Sequence, residues 1–174
     1  LVVLLVAVSW IFSPKIATKL RLVMSAVIIA IVLMPPASTN GVRIDTASAH
    51  YEIKQQLYNG QSVITLQTGP DGIQSAVLAN GNSDLIYWYT KQMAAATTEQ
   101  NPKRILLLGG GTLTMPTYLA QKLPDSQIDV VEIDPQLETI ARDHFHYKSP
   151  PNVRVIADDA RHFVQTYESE PYDV

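Results

Sequence analysis

The residues best suited to bind a ligand form one stretch in the second half of the chain. An apolar run, 105–108, is followed by three consecutive glycines, Gly109, Gly110 and Gly111. Such a run ending in glycine is typical of a buried parallel strand, and a helix is predicted after it, over 116–123. Strand, glycine loop and helix together aim backbone N–H groups at a nucleotide or nucleoside. The spacing differs from G-x-G-x-x-G, and a structural turn explains the motif equally well when it is taken alone.

A carboxylate lies downstream at the distance expected of a ribose ligand. Residues 127–133 are predicted to form a second strand, and Glu132 is near its carboxyl end. In dinucleotide-binding folds an acidic residue about 20 positions after the glycine loop binds the ribose hydroxyls. A solvated carboxylate at a strand end is the alternative. Because Glu132 stands at roughly the matching distance from Gly109, we favour the ribose role.

Further acids follow the predicted strands. Asp158 and Asp159 stand at the carboxyl end of a third strand, 153–157, where ligands bind in open α/β sheets. Either could instead cap the helix that begins near Arg161, and a ligand role for one of them is at least as well supported. Asp134, which precedes Pro135, is predicted to be the N-cap of the helix that follows, a position that Asn fills as well as Asp.

Composition excludes several kinds of site. The chain has no cysteine, so it contains no disulfide and no cysteine-ligated metal. The net charge is −3, and because residues 1–42 carry only basic charges, the rest of the chain is more acidic still. That balance argues against nucleic acid as the main partner. The histidines have no partners at metal-ligand spacing, so no metal is expected; they are His50, His144, His146 and His162.

The first 36 residues are predicted to lie in a membrane. Residues 1–12 carry no charge and fit the tail of one transmembrane helix, and a second is expected over about 20–36, ending at Pro35-Pro36. A signal peptide and buried soluble helices are the alternatives. The basic loop between the segments favours the cytoplasm, which would place residues 43–174 outside, whereas a nucleoside-dependent enzyme is expected inside. The sequence leaves the side of the membrane open.

The remaining chain divides into a linker and two domains. Residues 37–47 are predicted to be a polar linker, and residues 48–83 a small β-hairpin domain with strands over 50–58, 61–67 and 73–78. A helix over 85–98, capped by Ser83, leads into a Rossmann-like α/β domain, 84–174, with a parallel sheet. The chain starts at Leu1 and stops at Val174, in what resembles the opening of a strand, so we expect a piece of a longer protein.

Several of these motifs together resemble one known family. The segments ILLLGGG and VVEIDP, the D-A-R after the third strand and the final Y-D-V are similar to those of the spermidine synthase (polyamine aminopropyltransferase) family. GGGTLTMP and VVEIDP most resemble the bacterial branch whose synthase-like domain is fused behind transmembrane helices. The resemblance covers about residues 46–174. It implies the fold of S-adenosylmethionine-dependent methyltransferases, preceded by a small antiparallel β domain.

The resemblance also implies roles for individual residues. It assigns the nucleoside to Gly109, Gly110, Gly111 and Glu132, and adenine to Asp159, with Asp158 beside it. The co-substrate would be decarboxylated S-adenosylmethionine or S-adenosylmethionine, without a metal. The catalytic base is expected to be an Asp a few residues beyond the Y-D-V segment, past Val174.

The implied function is that of a membrane-anchored transferase of the bacterial inner membrane. It would move an aminopropyl group to a small-molecule amine, with Tyr51, Gln74 and Tyr89 lining the substrate site. A methyltransferase using S-adenosylmethionine and a non-catalytic, tethered nucleoside-binding domain are the alternatives. A homodimer is a further expectation, and nucleic acid is not an expected partner.

Departures from the family fall on the amine side of the site. The family's G-G-G-D-G has an Asp that holds the amine of the aminopropyl group, and an acid also follows its Y-Q or Y-H. A Lys in place of such an acid repels a diamine, so we predict that putrescine binds poorly. The residues assigned to the nucleoside match the family better than those assigned to the amine. The substituted positions are Thr112 and Leu113 in the loop, Thr90 and Lys91 after Tyr89, and Tyr51 at the end of Ser48-Ala49-His50-Tyr51.

Overall fold

The structure, a computed structural model, describes residues 41–69 and 72–174. Within these ranges, no helix is both long enough and apolar enough to cross a bilayer. The predicted transmembrane segments, 1–12 and about 20–36, lie outside the described residues.

An antiparallel sheet of four strands comes first. Its strands are β1 (Val42–Asp45), β2 (His50–Tyr58), β3 (Gln61–Gln67) and β4 (Ile73–Leu78), in the order β1-β2-β3-β4. Asn59 and Gly60 both have positive φ, 48° and 78°, as a tight two-residue hairpin requires. β2, β3 and β4 have the predicted bounds. The structure corrects one prediction: β1 lies inside the proposed linker 37–47, because its four residues pair with β2.

A parallel sheet with alternating helices follows. The elements are α1 (Trp88–Gln100), β5 (Arg104–Leu108), α2 (Thr114–Lys122), β6 (Gln127–Glu132), α3 (Leu137–His144), β7 (Val153–Ala157) and α4 (Ala160–Thr166). The strands pair in the order β5-β6-β7. This confirms the predicted α/β class with a Rossmann-like parallel sheet after an antiparallel one.

The ends of two helices differ from their predictions. α1 begins at Trp88 rather than at residue 85, and Ser83 donates to Gln121 Oε1 at 2.6 Å instead of capping α1. α3 begins at Leu137 with Gln136 in the N-cap position, so Asp134 is not its N-cap. Both errors have one cause: the polar side chains bond to partners that are distant or non-helical, which local sequence does not reveal.

Two apolar clusters hold the sheets and helices together. One joins the parallel sheet to α1 and α2 around Ile105, Leu119 and Val130. The other packs Tyr51 and Leu66 of the antiparallel sheet against α3 and its C-cap Phe145. α3 contributes to both clusters, with Ala141 in the first and Leu137 and Ile140 in the second, so it packs against residues of both sheets.

The last residues run beside β5. Asp173 N donates to Arg104 O at 2.9 Å, and Leu106 N donates to Val174 O at 2.8 Å. The Asp173 carboxylate also accepts hydrogen bonds from the backbone N–H groups of Lys103 and Arg104. These bonds lower the pKa of Asp173 and fix the start of β5.

Candidate functional site

A cavity of about 740 Å³ opens at the carboxyl end of β5, between the two sheets. The antiparallel sheet contributes Tyr51 and Gln74, and the start of α1 contributes Tyr89. The parallel half contributes residues 109–111 and Glu132. The structure thus brings together the predicted substrate-lining residues and the predicted nucleoside loop around one space. That these residues bind ligand remains a prediction.

The three loop glycines are required for two different reasons. Gly109 and Gly111 have φ of +90° and +51°, a region that side chains disfavour. Gly110 is packed instead: a Cβ there would lie 2.8 Å from Leu113 Cδ2 and 3.0 Å from Val130 Cγ1. Substituting any of the three would therefore distort the loop that faces the cavity.

Glu132 connects this loop to the end of β6. Its Oε2 accepts from Gly110 N at 2.7 Å and Gly111 N at 3.2 Å, and its Oε1 accepts from Asp134 N at 3.1 Å. The residue is only 8% exposed, so it is not the solvated strand-end carboxylate considered above. A carboxylate has about four acceptor positions, so one remains free. One hydroxyl of a ribose diol would donate to this free position. The second hydroxyl would compete with Gly111 N, whose hydrogen bond to Glu132 Oε2 is the longest of the three.

Thr112 faces away from the cavity. Its fully buried hydroxyl lies 2.5 Å from Ser75 Oγ of β4 and 2.8 Å from Thr114 Oγ1. Where the resemblance expects an Asp that holds an amine, this chain has a hydroxyl cluster that ties β4 to the glycine loop. Ser75 and Thr114 line the cavity in its place.

A second polar bridge joins the sheets through Asp134. This side chain is 2% exposed, and it accepts from Thr46 Oγ1 at 2.5 Å and from Gln136 N at 3.0 Å. Tyr51 lies beside it: burial and then the neighbouring Asp134 raise the pKa of Tyr51, so its hydroxyl stays protonated. Asp134 therefore supports Tyr51, which lines the cavity, without lining the cavity itself. The sequence did not predict this role.

Asp158 and Asp159 do not line this cavity. Asp159 caps α4, with its Oδ1 accepting from His162 N at 2.9 Å, and the Asp158 carboxylate lies 2.9 Å from His162 Nδ1. Asp158 N donates to Glu132 O at 3.1 Å, so the ends of β6 and β7 are adjacent. Their nucleoside contacts stay predictions.

Lys91 also lies elsewhere. It is exposed and lines a separate surface depression with Asp84, whereas its neighbours Tyr89 and Thr90 line the cavity. Repulsion of a diamine by Lys91, the reason given above for poor binding, is therefore not supported by its position. The described part of the cavity has a simpler property: Glu132 is the one carboxylate on its wall.

At the opposite end of the parallel sheet lies a charged cluster that the sequence did not indicate. Arg154 pairs with Asp129 through two hydrogen bonds, of 2.9 and 2.7 Å, and Tyr172 donates to Asp129 at 2.7 Å. Arg104 stacks on the Tyr172 ring at 4.9 Å. Burial opposes ionisation of Asp129, but the bonds from Arg154 and Tyr172 outweigh it and lower its pKa. The cluster fastens the last residues to the sheet.

Comparison with known proteins supports the fold and the resemblance. The chain is 35% identical over 95 residues to a polyamine aminopropyltransferase of Vibrio vulnificus, a match that covers 53% of this chain and 32% of that protein. It is 38% identical over 82 residues to an eEF1A lysine and N-terminal methyltransferase homolog of Drosophila pseudoobscura, covering 43% of this chain and 12% of that protein. No family model matches.

A solved structure shows the same fold. A probable spermidine synthase from Corynebacterium glutamicum aligns with a TM-score of 0.61 and 23% identity, over 77% of this chain and 48% of that one. The chain thus spans less than half the length of these relatives. The resemblance inferred from the motifs is confirmed, and the relatives named are transferases.

Proposed function

We propose, from the confirmed resemblance to spermidine synthases, that the chain is the nucleoside-binding part of a transferase acting on a sulfonium co-substrate. The co-substrate is decarboxylated S-adenosylmethionine, and the group transferred to an amine is aminopropyl. The observation that carries this proposal is the placement of Glu132: a buried carboxylate bonded to the glycine loop and facing a cavity at the carboxyl ends of the strands.

The reaction is a displacement at carbon. The amine nitrogen attacks the carbon beside the sulfonium, the carbon–sulfur bond breaks, and methylthioadenosine leaves while the amine loses a proton. The residues here contribute binding and orientation, which supply much of such a rate enhancement. Glu132 and residues 109–111 hold the nucleoside, and Tyr51, Gln74 and Tyr89 line the substrate space. Asp159, with Asp158 beside it at the adjacent end of β7, contacts the adenine from outside the described cavity lining. The base is the Asp expected beyond Val174.

A methyltransferase is the second candidate, and two observations favour it. One relative with 38% identity is a methyltransferase homolog. In addition, Thr112 stands where the resemblance expects an Asp: it has no carboxylate for the amine of an aminopropyl group, and its hydroxyl is buried against Ser75. In this case S-adenosylhomocysteine would leave.

The leaving product separates the two reactions. The full-length protein is incubated with an amine mixture and either decarboxylated S-adenosylmethionine or S-adenosylmethionine, and products are identified by mass spectrometry. Methylthioadenosine formed with an aminopropylated amine supports the proposal. S-adenosylhomocysteine with a methylated product replaces it by the second candidate, and binding without turnover favours the tethered nucleoside-binding domain.

The proposal includes the cellular setting. The protein is attached to a bacterial inner membrane through residues 1–36 and works as a homodimer on a small-molecule amine. The uncharged character of residues 22–42 supports the attachment.

A further inference from the structure

A second cavity, of about 140 Å³, lies at the start of α2, and we call it the small cavity. Three segments surround it: the turn after β4 (81–83), the start of α2 with the two residues before it, and the loop after α3 (145–150). Thr114 lines both the small cavity and the larger one described above. The start of α2 is therefore shared by the two cavities.

The loops around the small cavity have an unusual and defined backbone. Gly81, Leu113 and His146, one from each segment, have positive φ of 79°, 58° and 60°. A Cβ at Gly81 would lie 3.9 Å from His146 Cγ, so two of the segments meet there. Left-handed backbone is unfavourable for Leu and His and persists where the surrounding structure holds it. The shape of the small cavity is therefore set before any ligand binds.

The inner lining of the small cavity is apolar. Val77, Leu113 and Phe145 line it, and they are 6%, 1% and 3% exposed. A polar group placed against such side chains would lose its hydrogen bonds to water without replacement. A hydrocarbon group packs there without that cost.

The exposed edge of the small cavity carries hydrogen-bond donors and a positive charge. Lys148 and His146 are both exposed and both line it. Gln121 lines it as well, and its Oε1 accepts from Ser83 at 2.6 Å, which leaves the NH₂ group as the donating end of this side chain. An ammonium, an imidazole N–H and an amide all donate, and a carboxylate forms its strongest hydrogen bonds with charged donors. The edge thus suits an anionic group.

We infer that the small cavity binds a small organic anion, a carboxylate on a short apolar body, and that this anion strengthens nucleoside binding. The carboxylate contacts Lys148 and His146, and the body packs on Leu113. A Cβ at Gly110 would lie 2.8 Å from Leu113 Cδ2, and Gly110 N donates to Glu132, so a ligand that holds Leu113 in place also holds the glycine loop. The anion site is independent of the proposed function, whereas its coupling to the nucleoside rests on it.

Three ligands of equal length test the anion site. Butyrate, butanol and butylamine are each titrated into the full-length protein by calorimetry at constant ionic strength. We expect butyrate to bind about tenfold or more tightly than the other two, because only its head group complements Lys148. Butyrate that binds no more tightly than butanol, or not at all, would overturn the inference.

Inorganic phosphate tests the apolar part of the assignment, because it has the charge without the hydrocarbon body. It should bind about tenfold more weakly than butyrate, since it gains nothing from the inner lining. Phosphate binding as tight as that of butyrate would overturn the assignment to an organic anion.

Substitutions at the edge give a second readout. Lys148→Gln keeps the length of the side chain without its charge and should weaken butyrate by about fivefold or more. Lys103→Gln, at another exposed position, is the matched control and should leave butyrate affinity unchanged. His146→Asn, which tolerates positive φ, should weaken butyrate as well. Parent-like butyrate binding by Lys148→Gln would contradict the inference.

Titration of methylthioadenosine with and without saturating butyrate measures the coupling. Butyrate should tighten nucleoside binding by about threefold or more, and methylthioadenosine should tighten butyrate binding by the same factor, because coupling between sites is reciprocal. Without butyrate, Lys148→Gln should bind the nucleoside within about twofold of the parent, since Lys148 lies outside the larger cavity's described lining. Unchanged nucleoside affinity in the presence of bound butyrate would refute the coupling.

The two affinities also separate this inference from the proposed function. A parent protein that binds methylthioadenosine but not butyrate contradicts the anion site alone. A parent that binds butyrate but not methylthioadenosine contradicts the proposed function and the coupling, and supports the anion site.

Discussion

Glu132 carries out a structural task before any nucleoside arrives. Its carboxylate gathers two N–H groups of the glycine loop and one beyond β6, so the loop and the strand end form one unit. The carboxylate that would bind a ribose therefore also fixes the glycine loop beside which the ribose would lie. A change at Glu132 should accordingly affect both ligand affinity and stability.

Glu132→Gln should show both effects. An amide has one acceptor oxygen, so either Gly110 N–H or Asp134 N–H would face an NH₂ group. Hydrogen bonds to charged groups are worth about 1.5–3 kcal/mol, which predicts a tenfold or larger loss of nucleoside affinity and a lower melting temperature. Calorimetry and thermal unfolding measure these. Glu138→Gln, in an exposed i,i+4 pair with Arg142, is the control that should change neither. Unaltered affinity in Glu132→Gln would remove the ribose role.

Asp134→Asn should be destabilising, contrary to what an N-cap role predicts. Thr46 Oγ1 already accepts from Ser48 N and Ala49 N, and its single hydrogen points to Asp134, the nearer of its two acceptors. The side-chain amide that this substitution introduces would direct an N–H at an oxygen with no free acceptor position. We expect a loss of about 1–3 kcal/mol in unfolding free energy. Denaturant unfolding measures it, with exposed Asp143→Asn as control; equal stability of both variants would restore the capping interpretation.

Among the elements, the start of α2 holds an unusual backbone. Leu113, in the N-cap position, has φ of 58°, and its buried side chain covers Gly110. The left-handed conformation costs a non-glycine residue about 1–2 kcal/mol, whereas truncating a buried Leu costs about 2–5 kcal/mol. Packing outweighs strain here, which explains why a leucine is stable where the related family has glycine.

The order of two substitutions at Leu113 tests this balance. Leu113→Ala and Leu113→Gly should both destabilise, because both leave a cavity beside Gly110. The glycine variant should be more stable than the alanine variant by about 1 kcal/mol, since it alone relieves the positive φ. In most helix and strand positions the alanine variant is instead the more stable of the two. Urea unfolding gives the comparison, and an alanine variant as stable as glycine would show that no strain is present.

The cluster at the amino end of the parallel sheet predicts a pH dependence. Because the folded-state pKa of Asp129 is lowered, its contribution to stability is present above the unfolded value, about 3.9, and is lost as the pH falls through the folded value. Asp129→Asn should therefore cost about 1–2 kcal/mol at pH 7, since Arg154 is largely exposed. The difference from the parent should shrink below pH 4. Exposed Asp125→Asn should show no such difference at any pH.

The elements that local sequence predicted well are those with a strong pattern of their own. β2, β3, β4 and β7 have the predicted bounds, because alternating or continuous apolar residues end at clear turns. β1 was missed because its residues are mostly exposed and only pairing with β2 makes them a strand. The bonds of Asp134, Thr112 and Asp129 were missed because each joins residues far apart in sequence. Neither composition nor the spacing of residues along the chain predicts such long-range contacts.

At the scale of residues 41–174, the two sheets enclose the cavity because three separate contacts join them. These are the Ser75–Thr112 bond, the Thr46–Asp134 bond and the apolar cluster that includes α3. A nucleoside bound at Glu132 would contact the glycine loop, which the Ser75–Thr112 bond supports, and Glu132 itself accepts from Asp134 N, the residue of the second bond. Ligand binding and the joining of the sheets should therefore stabilise one another, by the free energy of binding to the folded state.

The attachment of the whole protein to a membrane can be tested directly. The uncharged run 22–42 lies outside the described residues but for its last two positions, and its length and apolar character predict a bilayer-spanning segment. The full-length protein should sediment with membranes and resist extraction by alkaline carbonate.

Replacing Ile28 and Ile31 by Lys should weaken this attachment, because each Lys at a helix centre costs about 2.5–3.5 kcal/mol on insertion. Lys in place of exposed Val164 should leave it intact. Release of the parent by carbonate alone would show that residues 22–42 do not cross the membrane, since only a peripheral contact is broken by that treatment.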